Sequence, residues 1–393
     1  MKKASEFIKK RRISPNDGYH YFFGYYDLQA YSADMKKHLC NRVPFMDRFP
    51  GKDDIAELGY IDLDTLAFVK LAETTAWNFQ QGCMLQWNPL CEDEIIYNVR
   101  VTDSDNELPF RTCIQNIVTG KKRYCDRAVA NVSPDGKYGL SINFARVYDF
   151  RPGYGYGGFK DPNFDIPQPD NDGVWLIDML TGKSRLIINY ARITREFGNE
   201  KYLDSKFVVN HITFNTDSNR FLFLNRNFPN TGKGWATTLF TSDLEGNLCL
   251  LLDSTMVSHY HWKNGSQILA YCNGDPNDRP GVYLIDDFTA KSFRYGEECF
   301  ERGDIHTIYS PDRRFIMGDG YPDKEQHRSL YVYDSTDGSW DIFVRVYSDK
   351  PEFVDNRCDL HALWSPDGRR VSYDSTETKR REIYELDVSY IYD

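Results

Sequence analysis

The chain has 393 residues, 41% of them hydrophobic, which is ample for a large buried core. Its formal net charge is −10 and its one basic tract is KKRR at residues 9–12, so it lacks the positive surface a nucleic-acid binder needs. No apolar run approaches the roughly 20 residues of a membrane span. Nine cysteines without a CxxC pair read as free thiols of a reducing compartment. The expected location is cytoplasmic, or periplasmic if a leader has been removed.

Residues 1–20 form an N-terminal extension, with a short basic helix expected over 5–13. From there one turn signal recurs: YSAD (31–34), CED (91–93), SPDG (133–136), NTDS (215–218), KNGS (263–266), SPDR (310–313) and SPDG (365–368). Each lies between short apolar or aromatic runs, as in HALW-SPDG-RRVSYDS. Asp-Gly and Asn-Gly adopt the positive φ that tight hairpins require. Further strand-like runs follow in most units, among them GVWLIDML, GVYLIDDF and EIYELDVS.

A strand-rich unit of 40 to 50 residues, repeated seven times, predicts an all-β, seven-bladed β-propeller with no internal domain boundary over residues 1–393. The spacing from Asp135 to Asp217 is too long for one blade. A long insertion is therefore expected after the inner hairpin of the third blade, at 145–172, and a short helix at 191–206. The last unit shows three strands, so an N-terminal strand is expected to complete it and close the ring, which leaves no open sheet edge.

Four inner strands share a pattern: His211-Ile-Thr-Phe, His259-Tyr-His-Trp, His306-Thr-Ile-Tyr and His361-Ala-Leu-Trp. The first strand of each blade lines the central channel, so four imidazoles are expected to face one axial cavity. Asp304 and Asp359 each precede their His by two residues, which on a strand places both on one face. Imidazole with carboxylate oxygen suits Mn, Zn, Fe or Ni better than Ca or Mg. In the insertion, Arg146 and Arg151 stand near Tyr154, and Arg226 follows the His211 strand. These arginines are candidate carboxylate binders. Tyr26, Asp27 and Gln81 are candidates for the channel mouth.

Residues 205–390 resemble the oligogalacturonate lyases, through the ordered series NHITF, SHYHW, DIHTIYSPDRRFIMGDG and NRCDLHALWSPDG. That family consists of seven-bladed propellers of Tol-type repeats that bind manganese on the axis and cleave uronate-containing oligosaccharides by β-elimination. The resemblance implies His211 as catalytic base; the residues of the insertion themselves offer Arg146, Arg151 and Tyr154 as further catalytic candidates. It implies His259, Asn356, Asp359 and His361 as ligands of a divalent metal, Mn most naturally and Zn next. Here Asp359 stands where the family has His and Asn356 where it has Gln; both can ligate through oxygen. Arg226, Gln81, Tyr26 and His306 would bind an anionic oligosaccharide. The alternative is a non-catalytic Tol-type propeller that binds a glycan or protein partner and has no need of four axial imidazoles.

Overall fold

The computed structural model describes residues 3–101, 109–198, 202, 204–229, 234–274, 279–301 and 303–393. Their strands form seven antiparallel sheets of four strands each, the seven blades of a propeller. The innermost strands of blades I to VI are His20–Phe22, Gln86–Asn88, Val129–Val132, Lys206–Phe214, Val257–Trp262 and Ile305–Tyr309. Blade VII begins at Leu363–Trp364. Among the described residues no helix is long and apolar enough to cross a membrane.

The repeated turns share one hydrogen-bond pattern. In SPDG at 133–136, Ser133 Oγ donates to Asp135 Oδ1 (2.7 Å) and accepts from the Tyr138 N–H (3.0 Å). Ser32, Ser310 and Ser365 do the same with Asp34, Asp312 and Asp367. The residue after the Asp takes positive φ: 69° at Gly136, 71° at Gly368, and 56° and 64° at Met35 and Arg313. Glycine adopts this backbone at no steric cost, which is why it recurs there.

Blade faces explain the apolar runs. The second strand of blade IV, Arg220–Phe228, is covered on both faces. Phe221 and Phe223 pack toward Phe240 and blade III, whereas Leu222 and Leu224 pack with Val257, Tyr260 and Trp262 of blade V. Each such side chain contributes about 1.5–3 kcal/mol by leaving water.

The N-terminus closes the ring, as the three-stranded last unit predicts. Lys9–Arg12 is the outer strand of blade VII, paired antiparallel from Lys9↔Asp387 to Arg12↔Tyr384. The basic helix expected over 5–13 is instead one turn, Ala4–Phe7, followed by this strand. The basic side chains account for the difference. Lys10, Arg11 and Arg12 meet Glu377, Glu385 and Glu382 at 2.5, 2.7 and 3.0 Å, acids brought together only by the ring.

The insertion occupies 142–172, between the second and third strands of blade III, and contains the helix Phe144–Phe150. A second helix, Tyr190–Phe197, precedes blade IV where a short one was expected.

Removing residues 1–12 should cost on the order of 3 kcal/mol. The loss comprises backbone hydrogen bonds worth about 1 kcal/mol each and partly exposed ion pairs worth less. Urea unfolding should show a lower midpoint, and size-exclusion chromatography should show association through the bared edge.

Candidate functional site

Four imidazoles do meet near the axis. Ring centroids are 3.8 Å apart for His259 and His306, 4.9 Å for His306 and His361, and 6.5 Å for His211 and His259. The route differs from simple strand alternation. His211 sits in a register break between Asn210 and Ile212 with φ of 51°. His361 precedes the short strand Leu363–Trp364, off the ladder, with φ of 41°. The expectation that Asp359 and His361 share a strand face is therefore corrected. Left-handed backbone and bulges re-aim side chains, and non-glycine residues hold such geometry only where the surroundings enforce it.

Hydrogen bonds on Nδ1 fix two of the rings, and a carboxylate faces Nδ1 of a third. Asp304 Oδ1 lies 2.9 Å from His259 Nδ1, and the Gly24 carbonyl lies 2.7 Å from His361 Nδ1. Asp319 Oδ1 stands 3.2 Å from His306 Nδ1, off the line of a directed hydrogen bond. Each acceptor draws the ring proton to Nδ1 and leaves the Nε2 lone pair for something else. The Nε2 atoms of His306 and His361 are buried without a partner. One ligand atom each from His306, Asp359 and His361 lies within 4.8 Å of the other two.

Charge divides the four rings. Burial lowers His211 well below the usual histidine value, and nearby Arg226 and Arg151 push the same way. Burial also lowers His361, to about 3. Burial acts on His306 too, but Asp319, Asp359 and Asp304 outweigh it and raise its pKa. Those carboxylates call for a cation at that place, either a proton or a metal.

Asp359 is buried between two guanidiniums, Arg328 Nη2 at 2.7 Å and Arg357 Nε at 2.8 Å from its oxygens. Arg357 Nη2 also donates to the phenol oxygens of Tyr154 (2.9 Å) and Tyr321 (3.1 Å). Gln80 Nε2 donates to the carbonyls of Asp355 and Arg357 and holds that segment in place. Asn356 Nδ2 donates to Met46 O, while its Oδ1 is buried without a partner.

Above the rings is a cavity of about 530 Å³ whose wall includes Arg151, Tyr154, His211, Arg226, His259 and Arg357. Of the residues singled out in the sequence, six thus share this cavity, Asp304 being the sixth, with Asp359, His306 and His361 next to them. Arg226 spends three donors on Asn210, Thr237 and Val257. Arg151 keeps more of its donors, with one 3.3 Å bond to Asp355 and its guanidinium over the Tyr154 ring at 4.1 Å. Tyr26 lies below, its hydroxyl donating to Tyr260 O.

Arg146 is placed elsewhere. It is fully buried, and its five donors go to Phe207 O, Asp161, Asn163 O, Ile166 O and Pro167 O, so it fastens the insertion to blade IV. Gln81 is also outside the cavity wall; its N–H is tied to Asn78. Tyr25, Tyr321, Arg328 and Arg357 belong to the site and were not singled out in the sequence. Tyr25 stacks on His211 at 4.9 Å and 10°. Only Arg357 carried a sequence signal, beside Asn356 in NRCDLH.

The fold and site define a class: a seven-bladed propeller with an imidazole-lined axis beneath an arginine-rich cavity. The oligogalacturonate lyases share that fold. The structure of the lyase from Vibrio parahaemolyticus superposes with a TM-score of 0.66 at 14% identity, covering 98% of this chain and 95% of that one. An oligogalacturonate lyase in complex with manganese gives 0.68 at 17% identity, covering 98% and 94%. At these identities the likeness is one of fold, and the chain is a divergent structural relative. No protein-family model and no curated protein matches the sequence.

One further buried acid supports the site. Asp374 accepts from the Phe23 N–H and donates its own N–H to Leu360 O, so it braces the strand ends that carry Gly24 and His361. Burial raises its pKa to about 8. Its folded pKa exceeds its unfolded one, so its contribution to stability is complete below about 4 and is lost as pH rises through about 8. Asp374→Asn should remove that loss. At pH 9 the variant should be the more stable protein in urea, by several kcal/mol, and below about pH 4 the two should match.

Proposed function

We propose that the protein cleaves an anionic, uronate-containing oligosaccharide by β-elimination, with His211 as the base. One observation carries this reading. A buried imidazole held neutral, with Nδ1 unpartnered, borders a cavity whose wall includes three guanidiniums, Arg151, Arg226 and Arg357.

β-Elimination removes the proton α to the uronate carboxylate. That proton is weakly acidic while the carboxylate keeps its full charge. A guanidinium against the carboxylate stabilises the enolate-like transition state, and Arg151 has the donors to spare. His211 is the neutral nitrogen base the step needs. The departing glycosidic oxygen needs a proton. Arg357 donates to the oxygens of Tyr154 and Tyr321, so each phenol hydrogen is directed away from it, and either can serve.

The donor set fits a divalent metal, on the strength of the unpartnered buried Nε2 atoms. His259, His306 and His361 would hold it through Nε2, with Asp359 and the free Oδ1 of Asn356 as oxygen donors. Nitrogen with carboxylate oxygen suits Mn²⁺, and Zn²⁺ next. Such an ion supplies Lewis-acid neutralisation of a carboxylate. His306 thus joins the set that the family resemblance alone implies.

Oligogalacturonates should give products with the ultraviolet absorbance of a conjugated C=C bond, which hydrolysis cannot produce. His211→Ala should lower kcat/KM by about 10²–10⁴-fold with thermal unfolding unchanged; full activity in that variant would reject the base.

Chelation should abolish turnover and added Mn²⁺ restore it. Untagged His306→Ala and His361→Ala should contain less metal than wild type by elemental analysis. Metal-free protein with undiminished activity would remove the metal from the mechanism.

The acid limb of the kcat/KM profile should fall well below pH 6.5. Burial and the two arginines lower the His211 pKa, so the neutral base persists as pH drops. A limb at or above 6.5 would point to another base.

A further inference from the structure

A second cavity, of about 410 Å³, opens against the inserted segment, with walls from blades II and III. Among the buried polar atoms of its lining residues, the Trp175 Nε1–H, a donor, and Asp126 Oδ1, an acceptor, have no hydrogen-bond partner. Both side chains are held. The Arg127 guanidinium lies 3.8 Å from the Trp175 ring centre. The other Asp126 oxygen accepts from the Ser184 N–H at 3.2 Å, and the Asp126 N–H donates to Gly182 O.

The chemistry of this pair narrows the occupant. A metal cation would be opposed by the indole N–H, which can only donate. A phosphate, which chiefly accepts, would be opposed by the carboxylate. A group that both donates and accepts can satisfy both atoms, and a sugar ring with several hydroxyls is such a group. Arg111 and Arg127 balance Asp126 and Asp172 on the wall, so hydroxyl pattern rather than charge would be read here.

The insertion connects this cavity to the central one. Asn143 caps the helix Phe144–Phe150 and lines the second cavity; Arg151 ends the helix and lines the first. Eight residues at 1.5 Å each separate them by about 12 Å. Tyr154 walls one cavity, and Pro162, Asn163 and Asn171 wall the other.

We propose that the second cavity holds a remote sugar unit of the oligosaccharide whose uronate ring occupies the central cavity. The inference rests on the reading of the central site given above, and it makes the protein selective for longer chains.

The test compares wild type with Trp175→Phe, which keeps a ring beneath Arg127 and removes only the N–H, and with Asp126→Asn. Oligogalacturonates of increasing length, from the dimer, are titrated calorimetrically in a His211→Ala background so that binding proceeds without turnover. Wild-type KM against length gives the same comparison should that background not fold. Affinity should rise about tenfold at one chain length, the worth of one or two hydrogen bonds, and both substitutions should erase the rise while leaving dimer affinity unchanged. An equal rise in all three proteins, or none in any, overturns the proposal and leaves the lyase reading intact. Oligomers that bind with the expected rise but are never cleaved by wild type overturn the lyase reading and keep the second site. Absence of binding at every length overturns both.

Discussion

The site depends on one buried ion cluster. Asp359 is out of water, and a carboxylate so placed costs several kcal/mol unless it is paired. Its partners are Arg328, on the third strand of blade VI, and Arg357, on the segment that enters blade VII. Arg328 also donates to Ser348 and to Gly320 O, and Arg357 to Tyr154 of the insertion and Tyr321 of blade VI. One carboxylate therefore sets the relation between two blades, the insertion and the chain that delivers His361. Loss of either guanidinium would leave a buried charge half-compensated, which is far more damaging than loss of the whole cluster to well-packed apolar groups.

The two halves of the ring contribute different things to the axis. Blade I supplies aromatic bulk: Tyr26 hydrogen-bonds both polar groups of the Tyr260 backbone, and Tyr25 stacks on His211 and meets His361 edge-on at 5.0 Å. Blades IV to VII supply the imidazoles. The aromatic half dries the axis, and dryness is the largest influence on each of the four imidazoles. A lyase base needs that environment, since a solvated histidine beside two arginines would be neutral too but would lose its advantage to water.

Much of the architecture was legible because a repeat writes itself into sequence. The turn network around Ser133, Ser310 and Ser365 needs Ser, Asp and a left-handed residue in fixed order, and those letters can be counted. The histidine register was legible for the same reason. What escaped was whatever depends on residues far apart in the chain. KKRR looked like part of a short basic helix because its acidic partners lie some 370 residues later. Arg146 and Arg357 looked alike as letters; only the fold shows that one ties down the insertion and the other turns two tyrosines toward the cavity. The positive φ at His211 and His361 has no spelling at all, since histidine there marks a backbone enforced by its neighbours.

Repetition also explains how one site obtains four chemically different histidines. The repeat delivers each ring to the axis, but the group facing its Nδ1 differs from blade to blade: Asp304, Asp319 and the Gly24 carbonyl for three of them, and no hydrogen-bond partner for His211. An acceptor at Nδ1 holds the proton there and turns the Nε2 electron pair outward, which is what a metal ligand requires. A ring without such an acceptor, next to Arg226 and Arg151, stays neutral with a nitrogen to spare, which is what a base requires. Position alone therefore cannot assign the roles. A change that moved an acceptor onto His211 Nδ1 would convert the base into a fourth candidate ligand without altering the repeat by a single residue.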